Sequence, residues 1–242
     1  MIGKPIDNPT GHPAKPAEEG TAAALVPPAK FPLALKIGFW FCITIAVAVV
    51  VRRVIVLSTP PSPNTPPQLA GLDAYFAAHA TLTYVHILCA LVFVALLPLL
   101  FWHRTRRSVT LQRAIFPLGV VVGITAYAMS AHAVGGWLER AAFLFFNTLF
   151  LFALYRAWSF TRSGNRTQQQ RWMLRAIAIL LGIATTRPVM GAFFATATIT
   201  HLTPAQFFGI AFWIGFSLNT LVIELWLRAR GHAGFASLPQ TR

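Results

Sequence analysis

The sequence predicts an all-α polytopic membrane protein, a bundle of six transmembrane helices with both termini on the cytoplasmic side. Three observations carry this. Of 242 residues, 56% are hydrophobic and 11% charged, against roughly 25% charged in an ordinary soluble domain, so a water-soluble surface cannot be assembled. The apolar residues fall into blocks of about 20, the length that crosses roughly 30 Å of hydrocarbon as a helix. Most lysines and arginines then fall in the tails and in alternate links between those blocks.

Residues 1–32 contain seven prolines and too little apolar surface to offset the entropy of ordering, so they read as a disordered cytoplasmic tail. A six-helix transmembrane domain follows over residues 33–230, and residues 231–242 form a second, short cytoplasmic tail. The apolar blocks run from Ile37 to Leu57, His79 to Trp102, Ala114 to Val134, Ala141 to Phe160, Ala176 to Ala197 and Ala205 to Leu227. In lipid only helices or closed barrels satisfy the backbone, and blocks this long without alternation must be helices. The stretch Ser58–Pro67 holds five prolines and is expected to be an extended extracytoplasmic loop.

The basic residues set the orientation, because the side richer in them stays cytoplasmic. Lys4, Lys15, Lys30 and Lys36 precede the first block, Arg104, Arg106, Arg107 and Arg113 lie between the second and third, Arg162, Arg166, Arg171 and Arg175 between the fourth and fifth, and Arg228, Arg230 and Arg242 at the end. The opposite links carry only Arg140, beside Glu139. Arg52 and Arg53 break the pattern and are expected to snorkel outward past Val54–Leu57. The net charge of +14 is thus a property of topology: the expected partners are the lipid bilayer and anionic lipid headgroups, and nucleic acid is not among them. Cys42 and Cys89 lie within apolar blocks, where a thiol behaves as a small hydrophobe.

Ionisable residues within spans are costly and mark candidate sites. Arg187 stands about 17 Å into the fifth apolar block, directly before Pro188, whose ring removes a backbone donor and frees a carbonyl one turn earlier. With Thr185 and Thr186 it forms a polar spot suited to an anionic group. Glu224 precedes Arg228 by one turn and is expected to pair with it; Trp213, Ser217 and Thr220 share its face, with Asn219 close by. His79, Thr83 and His86 lie on one face of the second helix, and Thr125 and His132 on one face of the third. Two histidines on facing helices are what haem b requires, which makes His86 and His132 a candidate axial pair. Trp102, Trp137, Trp158 and Trp226 mark the interfaces. No catalytic motif, phosphate-binding glycine loop or zinc-site spacing is present in the sequence, and no metal ligands are assigned.

Several of these residues also carry a resemblance. Val85-His86-Ile87, Arg113, Arg171-Trp172-Met173-Leu174-Arg175, Arg187, Asn219, Leu221-Val222 and Glu224 occur in the order and approximate spacing of a bacterial family of multi-pass membrane proteins, domain of unknown function 2306, which the sequence resembles over about residues 75–230. The resemblance implies a multi-pass protein of the bacterial inner membrane and brings no established activity. Such proteins usually carry a histidine before the arginine that opens the third helix and another before the Trp-Met pair. This chain has Gln112 and Gln170 there, so a metal or proton site built on those histidines would be absent from it.

The leading expectation is therefore a ligand pocket for a small anionic or amphipathic molecule in the outer half of the bundle, with His86, Arg187, Asn219 and Glu224 as candidate ligand-binding residues. The alternatives are a membrane redox protein holding haem b or a quinone, and a structural partner in a membrane complex.

Overall fold

A computed structural model describes residues 31–59, 67–101 and 109–236. The tail over residues 1–30, the proline-rich loop over 60–66, Trp102 with the arginines at 104, 106 and 107, and residues 237–242 lie outside the described residues. The described residues are almost all helical and include no strand, and the helix order is α1 Leu33–Ser58, α2 Pro67–Ala78, α3 Ala80–Phe101, α4 Val109–Ser130, α5 Gly136–Arg162, α6 Arg166–Ala195, α7 Ala197–Thr200 and α8 Pro204–Ala236. Six of these, α1, α3, α4, α5, α6 and α8, are long and apolar enough to cross a membrane. Apolar side chains such as Trp40, Leu88, Ile124, Leu221 and Leu225 point outward, as a surface solvated by lipid tails requires.

Helices α6 and α8 share the most extensive interface, α5 packs on α6, and α3–α4 and α4–α5 follow. Phe93, Leu97, Ile115, Leu154 and Phe207 are fully buried between them. Where α6 crosses α8, a Cβ built on Gly215 would lie 2.7 Å from the backbone nitrogen of Thr186, and one on Gly182 would lie 2.9 Å from Cα of Phe216. Close backbone approach through small residues is the main source of helix association in lipid, where apolar burial contributes little. Polar pairs tie further helices: Asn147 Nδ2 donates to the Gly123 carbonyl at 2.9 Å and Trp213 Nε1 to the Leu138 carbonyl at 3.2 Å.

Several helices outrun the apolar blocks. The fifth block begins at Ala176, yet α6 starts ten residues earlier, where Asn165 Oδ1 accepts the Gln168 N–H at 3.1 Å and caps the helix. Likewise α8 continues past Arg230 to Ala236. The segment between the first two spans holds one unexpected element, α2, only 12 residues long and too short to span. Its Asp73 faces the two arginines that break the charge pattern: Arg52 Nη2 and Arg53 Nη1 bind the Asp73 carboxylate at 2.9 and 2.8 Å, and the Arg53 guanidinium lies 4.1 Å over the Phe76 ring.

Candidate functional site

The end of the bundle that holds the α5–α6 turn is basic, and there an open groove of about 520 Å³ is lined by Arg156, Phe160, Asn165, Gln168, Arg171, Trp172 and Arg175. Local sequence explains its shape. Gly164, at φ +73°, supplies the left-handed step that reverses the chain, and Asn165 then caps α6. Arg156 lies one turn before Phe160 on α5, while Arg171, Trp172 and Arg175 occupy the first turns of α6. Trp172 forms the floor: Arg175 lies 4.7 Å and Arg156 5.4 Å from its ring, with Arg156 also 4.9 Å from Phe160. Such stacking holds guanidinium planes without using their N–H groups.

Neighbouring groups hold two of the three arginines from behind. Arg171 Nη2 donates to the Leu227 carbonyl of α8 at 3.2 Å. Arg175 grips Glu224 with two hydrogen bonds, Nε to Oε2 at 2.8 Å and Nη2 to Oε1 at 3.3 Å. Glu224 also accepts from Arg228 Nε at 3.1 Å, as expected. The third arginine differs: Nε of Arg156 is buried and has no hydrogen-bond partner among the described residues. An orphaned buried guanidinium donor is costly.

The other sequence candidates do not converge on one pocket. His86 Nδ1 lies 2.9 Å from Thr125 Oγ1 between α3 and α4. Thr125 also approaches the Val121 carbonyl at 2.8 Å, so with its proton placed there His86 donates. Asn219 Oδ1 accepts from Thr185 Oγ1 at 2.9 Å, and Cys42 Sγ stands 3.6 Å from the same hydroxyl, joining α8, α6 and α1. Arg187 is nearer the opposite end, about 31 Å along α6 at 1.5 Å per residue. Its Nη1 contacts Met190 Sδ at 3.6 Å, and its buried Nε has no partner among the described residues. The charges that act on it are Arg53, Glu139 and Arg52, and Glu139, 5% exposed, accepts the Gly135 N–H at the start of α5.

The haem pairing does not fit this arrangement. Helix α4 ends at Ser130, and His132 beyond it lies against His79, ring centroids 3.8 Å apart. His86 is two turns further along, about 10 Å at 1.5 Å per residue, whereas two axial imidazoles must stand level across one iron.

Residues 83–227, more than half of the chain, match the family described as predicted membrane protein (DUF2306). The chain belongs to this family. No curated protein and no solved structure matches it. The matched segment contains every residue that lines the groove, together with Glu224 and Leu227, and it excludes α1 and α2. None of the groove residues is among the candidate ligand contacts read from sequence, and Arg156, Asn165 and Gln168 are missed altogether. Arg156 lies inside the fourth apolar block, and the criterion that singled out Arg187 would have found it.

Proposed function

We propose that this membrane protein binds an anionic, phosphate-bearing ligand in the groove at its basic end, and that this end faces the cytoplasm of a bacterial cell. The observation that carries the reading is the convergence of three arginines, Arg156, Arg171 and Arg175, on one groove of about 520 Å³. Planar guanidinium forks match phosphate oxygens bidentately. Clustering of Arg162, Arg166, Arg171, Arg175, Arg228 and Arg230 at this end supports the orientation, and the pairing of Arg52 and Arg53 with Asp73 removes the main exception. Trp158, Trp172 and Trp226 lie at this level, the depth of lipid headgroups.

A phosphodiester headgroup and a soluble phosphate share this chemistry, and two arms separate them. The protein is placed in phosphatidylcholine nanodiscs with or without phosphatidylglycerol, and retained lipid is measured by native mass spectrometry. In parallel, inorganic phosphate is titrated and Trp172 emission followed. Wild type is expected to respond in one arm, and Arg156→Gln to bind roughly tenfold more weakly there, since a hydrogen bond to a charged group contributes about 1.5–3 kcal/mol. Equal affinity of the two proteins in both arms would overturn the reading.

A second reading rests on a separate observation, the buried and unpartnered Nε of Arg187. It supports a subsidiary contact in the outer half for the acidic or carbonyl end of an amphiphile, a quinone included. Thermal stabilisation by a soluble quinone analogue is expected in wild type and absent in Arg187→Ala; identical stabilisation of both rejects it.

A further inference from the structure

The groove carries more positive charge than the acid beside it can balance. Arg156, Arg171 and Arg175, all half-buried, line it, and no acidic residue is among its lining. Glu224 is the only acid in the chain after Glu139, and its carboxylate is already divided between Arg175 and Arg228, at 2.8 and 3.1 Å. Even with Glu224 set wholly against Arg175, two of the three guanidinium charges have no counter-ion among the described residues. Arg171 and Arg175 also stand four residues apart on α6, a like-charge spacing that costs the helix stability until something neutralises it.

The uncommitted donors match that charge. Arg175 uses Nε and Nη2 on Glu224, and Arg171 uses Nη2 on the Leu227 carbonyl. Each of the three guanidinium groups therefore keeps at least one Nη amino group with no hydrogen-bond partner among the described residues, and none of these is buried. A phosphomonoester above its second pKa is a dianion with three terminal oxygens, all strong acceptors, whereas a phosphodiester is a monoanion with two. Three guanidinium groups can each meet one terminal oxygen of a monoester. A diester leaves one of them against an esterified oxygen, a poor acceptor. Resting on the anion-binding reading above, we propose that the groove selects phosphomonoester dianions over phosphodiesters, the monoester being a phosphatidate headgroup or a small soluble phosphate. Headgroups that end in an ammonium are disfavoured further, because they bring a cation among arginines with no acid in the lining to receive it.

The test uses the full chain in phosphatidylcholine nanodiscs, with two arms that separate a lipid from a soluble source. In one, phosphatidic acid or phosphatidylglycerol of the same acyl chains is added to the bilayer and retained lipid is measured by native mass spectrometry. In the other, glycerol 3-phosphate or the diester glycerophosphoglycerol is titrated by calorimetry. Wild type is expected to prefer the monoester by about tenfold in the arm that responds, the effect of one further charge-assisted hydrogen bond. That preference should grow about fivefold between about pH 5 and pH 7, as the monoester passes its second pKa near 6 while the charge of the diester stays fixed. Any deprotonation of the protein over this range, of a histidine or of Glu224, makes it less positive and acts in the opposite sense. Arg171→Gln leaves two arginines on the groove, so monoester affinity should fall about tenfold and the preference should approach unity. If wild type binds monoester and diester equally while Arg156→Gln weakens both, anion binding stands and selection for the dianion is overturned; a preference that shrinks as pH rises overturns it as well. If no phosphate compound binds in either arm, both fall. The wild-type preference and its pH dependence decide the matter even where Arg171→Gln does not fold.

Discussion

Gly215→Val is expected to abolish cooperative folding of the bundle in detergent, or to lower its thermal midpoint by more than any conservative core substitution. A Cβ at this position would meet Thr186 at its backbone nitrogen, 2.7 Å, at Cα, 2.9 Å, and at Cγ2, 2.6 Å. Two of those atoms belong to the α6 backbone and cannot rotate away. Overpacking costs about 1–3 kcal/mol even where side chains can adjust, and here α8 must separate from α6 across the largest interface of the fold. Water gives no compensating drive to re-close it, because lipid is as apolar as the helix faces. Gly191→Ala is the matched control. It lies in α6, the partner helix, with nothing within 4 Å of an added Cβ, so it should be neutral or stabilising by about 0.5–1 kcal/mol. If Gly215→Val melts where Gly191→Ala does, the α6–α8 crossing is not the close contact described.

The six spans were legible because apolar block length measures hydrocarbon thickness directly, and each long block corresponds to a helix. Their ends were less legible for a physical reason: hydropathy reports where a helix leaves the hydrocarbon, whereas hydrogen bonding and caps decide where it stops. Hence α6 starts at Arg166 on an asparagine cap, although its first six residues are all polar. Helix α2 was hidden because the proline-rich stretch Ser58–Pro67 dominates the link and because 12 residues are too few to register as a span. Of the site, the sequence shows what lies along one helix and not what crosses between two. The four-residue spacing of Glu224 and Arg228 announces their pair, but nothing local announces that the same carboxylate also holds Arg175 from α6. His132 was placed on a helical face with Thr125, yet α4 ends two residues before it. It meets His79 as a result, and His86 binds Thr125 instead.

That shared carboxylate leads to the second large effect: Glu224→Gln is expected to bind the anionic ligand about tenfold more tightly than wild type while unfolding more readily. Arg175 contributes its guanidinium both to the groove and to Glu224, through hydrogen bonds of 2.8 and 3.3 Å. A phosphate entering the groove must therefore share that cation with a resident carboxylate. Glutamine keeps the shape and removes the charge. Two unit charges about 4 Å apart interact by about 1 kcal/mol in water and about 4 kcal/mol near a protein surface. Arg175 and Glu224 are 20% and 30% exposed, so solvent screening keeps the gain near the lower figure, and a tenfold change corresponds to about 1.4 kcal/mol. The cost to folding is of similar size, about 1 kcal/mol for a partly exposed ion pair that bridges α6 and α8. It should appear as a lower thermal midpoint without ligand and a larger upward shift with it. The opposite signs give the measurement its force. General loosening of the α6–α8 contact would weaken binding and stability together, and a ligand that needs a carboxylate, such as one with an ammonium group, would also bind the variant less well. Tighter binding with lower intrinsic stability is expected only if Glu224 competes with the ligand for Arg175.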